Sequence, residues 1–276
     1  MINTLKHLAY TLRCSEQEIL YVASHSNDYY YHFKKTKKKF GEPQQNPDGS
    51  VRYRELYPSK NSLKKIQERI AALLGQIPLP DYHYGSVKGK NNIDNALKHI
   101  DGKYFLNIDL RNFFYGISHH QVFRMFRHYK FSPTIARLLT QLTTYHGTLS
   151  QGVPSSPVIA NLVFIQTGDE LSLMANRTGL SFTAYLDDLV FSSQSSFKEL
   201  IPLIITTIKS GKFRLNHRKI SYRTHKPEVT GIFIHNKRLL VNDILRKNAL
   251  KKINTKRYID RIEHVNSTLI SIHGKS

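Results

Sequence analysis

Three aspartates carry the first chemical signal in this chain. Asp187 and Asp188 are adjacent in SFTAYLDDLVFSS, the stretch from Ser181 to Ser193. Phe182, Ala184 and Leu186 alternate with Thr183, Tyr185 and Asp187, the period-2 pattern of a strand, and Leu189-Val190-Phe191 continues beyond the acids. The pattern predicts a hairpin with both carboxylates at or near its tip. Neighbours on a regular strand point to opposite faces, so both can serve one site only across a turn. Two carboxylates held together repel unless a cation neutralises them. The stretch therefore points to a divalent-metal site, against the plainer alternative of a solvated Asp-Asp turn. The third acid, Asp109, lies in KYFLNIDLRNFF. There Leu106, Ile108 and Leu110 share one strand face, and Asn107, Asp109 and Arg111 share the other. An acid on the open face of an otherwise buried strand is a site candidate.

Other segments must position these acids. Residues 1–33 read as helical, with Ser15 and Glu18 spaced as a capping box. Residues 34–54 hold a basic block (Lys34, Lys35, Lys37, Lys38, Lys39) and an Asp48-Gly49 turn signal, which reads as a basic β-hairpin with an extended tip or as a disordered loop. Pro58 to Leu74 reads as a helix stopped by Gly75. The stretch DYHYGSVKGKNN follows, where Gly85, Lys88, Gly89 and Lys90 suit a phosphate. Asn92 to Ile100 reads as a short helix, and further helices fall at roughly 119–130 and 133–145. Gly147 to Asn161 is a Gly/Ser/Pro turn running into a helix, with Pro157 at its start, an entrance suited to an anionic group. Leu200 to Ile208 gives a helix whose Pro202 marks the first turn. LNHRKISYRT reads as a basic strand region and VTGIFIHNKRLLVN as a hairpin. Asp243 to Ile262 reads as one basic helix carrying Arg246, Lys247, Lys251, Lys252, Lys256, Arg257 and Arg261. Such a helix is either a solvated face or one laid along a phosphate backbone.

Composition narrows the partner. The 276 residues include 41 Lys+Arg against 20 Asp+Glu, a formal net charge of +21. That excess calls for a polyanion, either nucleic acid or an anionic membrane. No run of about 18 apolar residues marks a membrane span. The N-terminus lacks the order of a signal peptide. The single cysteine, Cys14, excludes an internal disulfide framework and a cysteine-rich zinc site. A cytoplasmic, nucleic-acid-facing protein with no membrane partner is expected.

The order of these motifs resembles a reverse transcriptase palm: a strand bearing Asp109, a Gln-Gly-x-Pro-x-Ser-Pro turn at Gln151–Pro157, then Tyr-x-Asp-Asp at Tyr185–Asp188. NALKH, with Asn95, Ala96 and His99, is similar to the Asn-Ala-x-x-His motif of bacterial retron-type reverse transcriptases. Val229-Thr230-Gly231 resembles their Val-Thr-Gly motif. PSKNSLKKIQ and the N-terminal LAYTL also fit. The resemblance covers nearly the whole chain and is weakest at 34–52 and after about 245. The hairpin at 34–54 is longer than usual. The resemblance implies an α+β right-hand polymerase: N-terminal helices and fingers over 1–100, a palm with an RRM-like sheet over 101–235, and a short helical basic thumb over 236–276.

It also implies roles. Asp109, Asp187 and Asp188 hold two Mg²⁺ ions, with Leu110 in the metal-ligating set. Phe114 packs against the nucleotide sugar and selects dNTPs, with Phe113 as its core neighbour. Gln151 and Gly152 contact the nucleotide. Arg54, or Arg52 in the alternative register, grips the triphosphate. Lys219 protonates the departing pyrophosphate, and Tyr185 supports the hairpin beneath the primer end. Asn95, His99, Val229, Thr230 and Gly231, with Arg246 and Lys247, contact RNA. The structural alternative for these motif residues is a helix cap, a core histidine and a strand-end glycine. The implied partners are a cognate structured non-coding RNA, its DNA product, dNTPs and an effector protein. The implied reaction copies part of that RNA into DNA primed from an RNA 2′-hydroxyl, giving a branched RNA–DNA molecule (msDNA) used in anti-phage defence. The alternatives are another bacterial reverse transcriptase without a branched product, and a non-catalytic RNA-binding module.

Overall fold

The computed structural model describes residues 2–250 and 253–273, with side chains through Ser271. The chain opens with α1 (Leu5–Leu12) and α2 (Glu16–Ser24). Thr4 and Ser15 cap them, each hydroxyl accepting from the backbone N–H three residues on. A 3₁₀ turn at Ser26–Tyr29 leads into β1 (Phe33–Thr36), β2 (Lys38–Lys39), β3 (Glu42–Pro43) and β4 (Tyr53–Leu56). β1 pairs with β4 and β2 with β3, both antiparallel. The basic segment is thus ordered, but it has two tips. One is Phe40–Gly41, where both residues take positive φ; the other is the Asn46–Ser50 turn around Gly49. None of these strand residues is buried, so backbone pairing rather than packing holds the hairpin.

α3 (Asn61–Leu74) begins after the expected Pro58, because Pro58 and Ser59 remain extended: the Pro58 carbonyl accepts from Tyr31 N–H at 3.2 Å and Ser59 bridges to Tyr30. Then come α4 (Asn92–Leu97), β5 (Tyr104–Asp109), α5 (Phe113–Gly116), α6 (His119–His128), α7 (Pro133–Thr143), α8 (Ser156–Arg177), β6 (Ser181–Tyr185) and β7 (Asp188–Ser193). They are followed by α9 (Ile201–Ser210), β8 (Ser221–Arg223), β9 (Glu228–Val229), β10 (Ile232–His235), β11 (Arg238–Leu240), α10 (Asp243–Ala249) and α11 (Ile253–His273). Pro157 and Pro202 both sit in the first turn of their helices, where a missing N–H costs nothing. The expected single basic tail helix is two helices, and its Lys251 and Lys252 lie outside the described residues.

Among the described residues the central sheet runs in the order β6-β7-β5-β8, antiparallel throughout. One face, with Leu106, Ile108, Phe182, Ala184, Leu189 and Phe191, joins the main core under α8 and α9. The other face was expected to be open, and it is not. Phe105 and Val190 enter a second core with Ile93 and Ala96 of α4, Val229, Ile232 and Leu239 of the small β9–β11 sheet, and Ile259 and Ile262 of α11. Asn107 is tied down at the edge of that layer, half-buried, its Nδ2 donating to the Glu228 carbonyl at 2.6 Å. On this face the cleft opens at the Asn107–Asp109 end of β5. The interval expected to part palm from thumb, 235/236, falls inside the β10–β11 ladder, which pairs Phe233 with Leu240 and His235 with Arg238. No described helix is long and apolar enough to cross a membrane.

Candidate active site

Sheet register brings the acids together. Asp188 opens β7, opposite Asp109 on one side and Tyr185 on the other. Asp187 sits in the two-residue turn after Tyr185, where Leu186 has φ +56°. The Asp187 carbonyl accepts from Leu110 N–H at 2.8 Å, pinning the turn to the end of β5. The turn that sequence reasoning required is therefore present, and all three carboxylates stand at one end of the sheet.

A second support comes from the segment expected to cradle phosphate. Tyr84 N–H donates to the Ala184 carbonyl at 2.9 Å, and Ala184 N–H to the Tyr82 carbonyl at 2.8 Å, a parallel bridge along β6. Gly85 then lies beneath the catalytic turn. A Cβ there would fall 2.6 Å from Leu186 N and 2.8 Å from Tyr185 C, so only glycine fits. Asn161 of α8 holds this glycine, donating from Nδ2 to its carbonyl at 2.9 Å. Lys90 is also turned inward, bonded to the carbonyls of Asp81 and His83 at 2.8 and 3.0 Å. Gly85 and Lys90 are thus a brace for the turn rather than a phosphate cradle. Short-range patterning does not reveal this, because the partner strand lies about a hundred residues away in sequence.

Asp109 and Asp188 line a cleft of about 700 Å³ with Tyr185, Lys219, Thr230, Gly231, Lys39 and Glu228, and Asp187 stands in the turn at its edge, next to Asp188. Burial raises the Asp187 pKa above the usual carboxylate range; Asp109 adds to the shift, and Arg54 and Lys219 oppose it. Asp188 is pushed up to about 7, by the enclosing protein first and by the charges of Asp187 and Asp109 next. Its side chain still opens onto the cleft, so burial is partial and the neighbouring like charges add to it. Asp109 is engaged differently: Asn216 Nδ2 donates to its Oδ1 at 2.9 Å and Lys219 Nζ to its Oδ2 at 2.5 Å. Two mutually repelling carboxylates beside a third suit hard divalent cations, which take oxygen ligands and discharge the repulsion. The residues fit such an ion, although among the described residues no three His, Cys, Asp or Glu groups form a ready ligand cage. The Leu110 side chain is buried, which leaves only its main-chain carbonyl for a cation.

The other expected residues divide into two groups. Arg54 and Arg52 project from the fingers hairpin, and Arg54 is near enough to act on Asp187. Lys37, singled out only as part of a basic block, sits among Arg52, Arg54 and Lys219 and feels Asp109; burial, then those cations, lower its pKa. Phe114 is half-buried at the start of α5, while Phe113 is core against Phe164 and Phe213. The Gln151 carbonyl accepts from Tyr57 N–H at 3.2 Å, and Gly152 has φ +97° against Pro58. Thr230 and Gly231 reach the cleft. Asn95, His99 and Val229, expected to touch RNA, are buried at 0, 1 and 0 % exposure. His99 Nδ1 bonds Ser192 Oγ at 2.7 Å and its Nε2 bonds Thr183 Oγ1 at 2.8 Å; Asn95 Nδ2 donates to Thr230 Oγ1 at 3.3 Å. The two motifs therefore meet as the layer that seals the back of the catalytic sheet. Arg246 and Lys247 are exposed on α10, Arg246 paired with Glu263 at 3.4 Å. Asn216 went unnoticed in the sequence; its spacing of three from Lys219 was the available signal.

A braced carboxylate turn against an acidic strand end, in a basic cleft between a finger hairpin and a helical C-terminal layer, has the geometry that metal-assisted phosphoryl transfer onto a growing strand requires. The chain belongs to the reverse transcriptase family: the profile of "Reverse transcriptase (RNA-dependent DNA polymerase)" matches residues 37–234. It is an RNA-directed DNA polymerase of the bacterial retron type. It is 28% identical to the Retron Ec86 reverse transcriptase of Escherichia coli, over 100% of this chain and 87% of that protein. It is 31% identical to the Retron Ec83 reverse transcriptase of Escherichia coli, over 69% of this chain and 67% of the relative. Among solved structures it is similar to telomerase from Candida albicans, with a TM-score of 0.52 and 8% identity, covering 82% of this chain and 51% of that one, a likeness of fold alone.

Proposed function

We propose that this polymerase binds a structured non-coding RNA and copies part of it into single-stranded DNA, priming from an RNA 2′-hydroxyl to leave a branched RNA–DNA product. The observation that carries the copying step is the convergence of Asp109, Asp187 and Asp188 at one end of the sheet, beside exposed Arg54 and Lys219. The similarity to retron reverse transcriptases supports the RNA partner and the branch. An anti-phage role with an effector protein follows from that resemblance alone.

In this reading the three aspartates hold two Mg²⁺ ions. When bound, those ions activate the attacking hydroxyl and neutralise the triphosphate and its leaving group. The chain's own groups do the rest. Arg54, with its planar fork, and Lys37 draw the triphosphate to the cleft by charge. Phe114 walls the sugar and excludes a 2′-hydroxyl. The Gln151–Gly152 turn, fixed on Tyr57 and Pro58, contacts the nucleotide. Lys219 supplies a proton to the departing pyrophosphate. RNA contact falls to Thr230, Gly231, Arg246 and Lys247, while Asn95, His99 and Val229 hold the layer that presents them.

The test is expression with the flanking upstream DNA, followed by denaturing electrophoresis of total nucleic acid with and without RNase. A short DNA that shifts after RNase and vanishes in Asp187→Asn/Asp188→Asn is expected. A DNA that vanishes in the variant but never shifts would remove the branched priming and leave the polymerase.

A further inference from the structure

Asp109 has a donor on each carboxylate oxygen, and the two donors differ in kind. Asn216 is anchored by its main chain: its N–H donates to the Asp109 carbonyl at 2.9 Å, and its own carbonyl accepts from Lys219 N–H at 2.8 Å. That last bond closes the 3₁₀ turn at His217–Lys219, and residues three apart in such a turn stand on the same side. Both side chains therefore reach one carboxylate. The Asn216 amide is neutral and half-buried, and bonds Oδ1. The Lys219 ammonium is charged, sits on a flexible stem with its side chain 61% exposed, and bonds Oδ2. A cation arriving at Asp109 repels the ammonium but not the amide.

We propose that Asn216 is a positioning residue that holds Asp109 by Oδ1 and keeps Oδ2 available, and that Lys219 occupies Oδ2 until a divalent cation displaces it. The proposal rests on the metal-dependent reading above. It makes the two neighbours act in opposite directions. Without the amide, Asp109 is free to turn away, and cation affinity falls. Without the ammonium, a competitor for Oδ2 is gone, and cation affinity rises.

The measurement is Mn²⁺ binding to the full chain without nucleic acid, read by electron paramagnetic resonance, for wild type, Asn216→Ala, Lys219→Gln and Asp188→Asn. Asn216→Ala is expected to weaken binding by roughly 10-fold, the lower end for a group that orients a metal ligand. Lys219→Gln is expected to tighten it severalfold while lowering turnover. If Asn216→Ala does not fold, Asn216→Ser carries the same test, since its hydroxyl is too short to reach Oδ1 from the same main chain. An Asn216 variant that binds Mn²⁺ within twofold of wild type overturns the proposal, as does a shift in the same direction for both neighbours. Wild type that binds no more Mn²⁺ than Asp188→Asn would overturn the metal-dependent reading itself, a separate result.

Discussion

His99 makes this protein's stability depend on pH in a calculable way. The ring is 1 % exposed and spans Ser192 and Thr183 through its two nitrogens. Burial, with a smaller push from Lys98, lowers its pKa to about 3. An unfolded chain binds that proton near pH 6.5. Below pH 6.5 the unfolded state thus holds the extra proton, so the stabilisation is complete above 6.5 and is lost as pH falls toward 3. At pH 5 the loss is about 2 kcal/mol, set by the unfolded pKa because the folded one lies far below. His99→Gln cannot titrate. It gives up part of the bridge at every pH, at a cost of about 1–3 kcal/mol. The stability gap between wild type and variant should therefore narrow by about 2 kcal/mol between pH 7.5 and pH 5. Asp188 and His83 titrate in both proteins and cancel in the difference. Urea unfolding at the two pH values measures the gap. An unchanged gap would refute a neutral, buried His99 and with it the sealed-layer account of the NALKH motif.

Three further outcomes are expected. Gly85→Ala places a Cβ 2.6 Å from the Leu186 backbone, and displacing the catalytic turn should cut single-nucleotide turnover by about 10²-fold with the fold retained; undiminished turnover in a correctly folded variant would refute the brace. Asp188, raised to about 7, makes the cation-free protein less stable as pH rises through 7. Measured against Asp188→Asn with divalent ions chelated, wild type should melt lower at pH 8 than at pH 6, and millimolar Mg²⁺ should abolish the difference; equal behaviour at both pH values would count against the crowded carboxylates. Phe114→Ala should raise ribonucleotide use relative to deoxynucleotide use, as kcat/KM, by roughly 10-fold or more. A ratio within twofold of wild type would return Phe114 to the core beside Phe113.

What the sequence determined by itself is local. Alternation in SFTAYLDDLVFSS sets strand, turn and strand, because side-chain period and turn geometry are properties of a few consecutive residues. The first-turn prolines Pro157 and Pro202 and the capping hydroxyl of Ser15 are legible for the same reason. The order of Asp109, Gln151–Pro157 and Tyr185–Asp188 pointed to the family and marked these acids as its candidate site. What only the tertiary structure decided depends on which distant segment covers which face. Alternation in β5 marks two faces, but nothing in it says that β9–β11 and α4 close over Phe105 on the second one and leave Asn107 and Asp109 at the cleft. For the same reason Asn95 and His99 read as RNA contacts and are found as buried struts: their partners Thr230, Thr183 and Ser192 lie far along the chain. Asn216 meets Asp109 only because Leu110 and Leu215 bridge at the end of β5. Each of these contacts is long-range, and burial of a polar side chain follows from what packs over it, which no local pattern encodes.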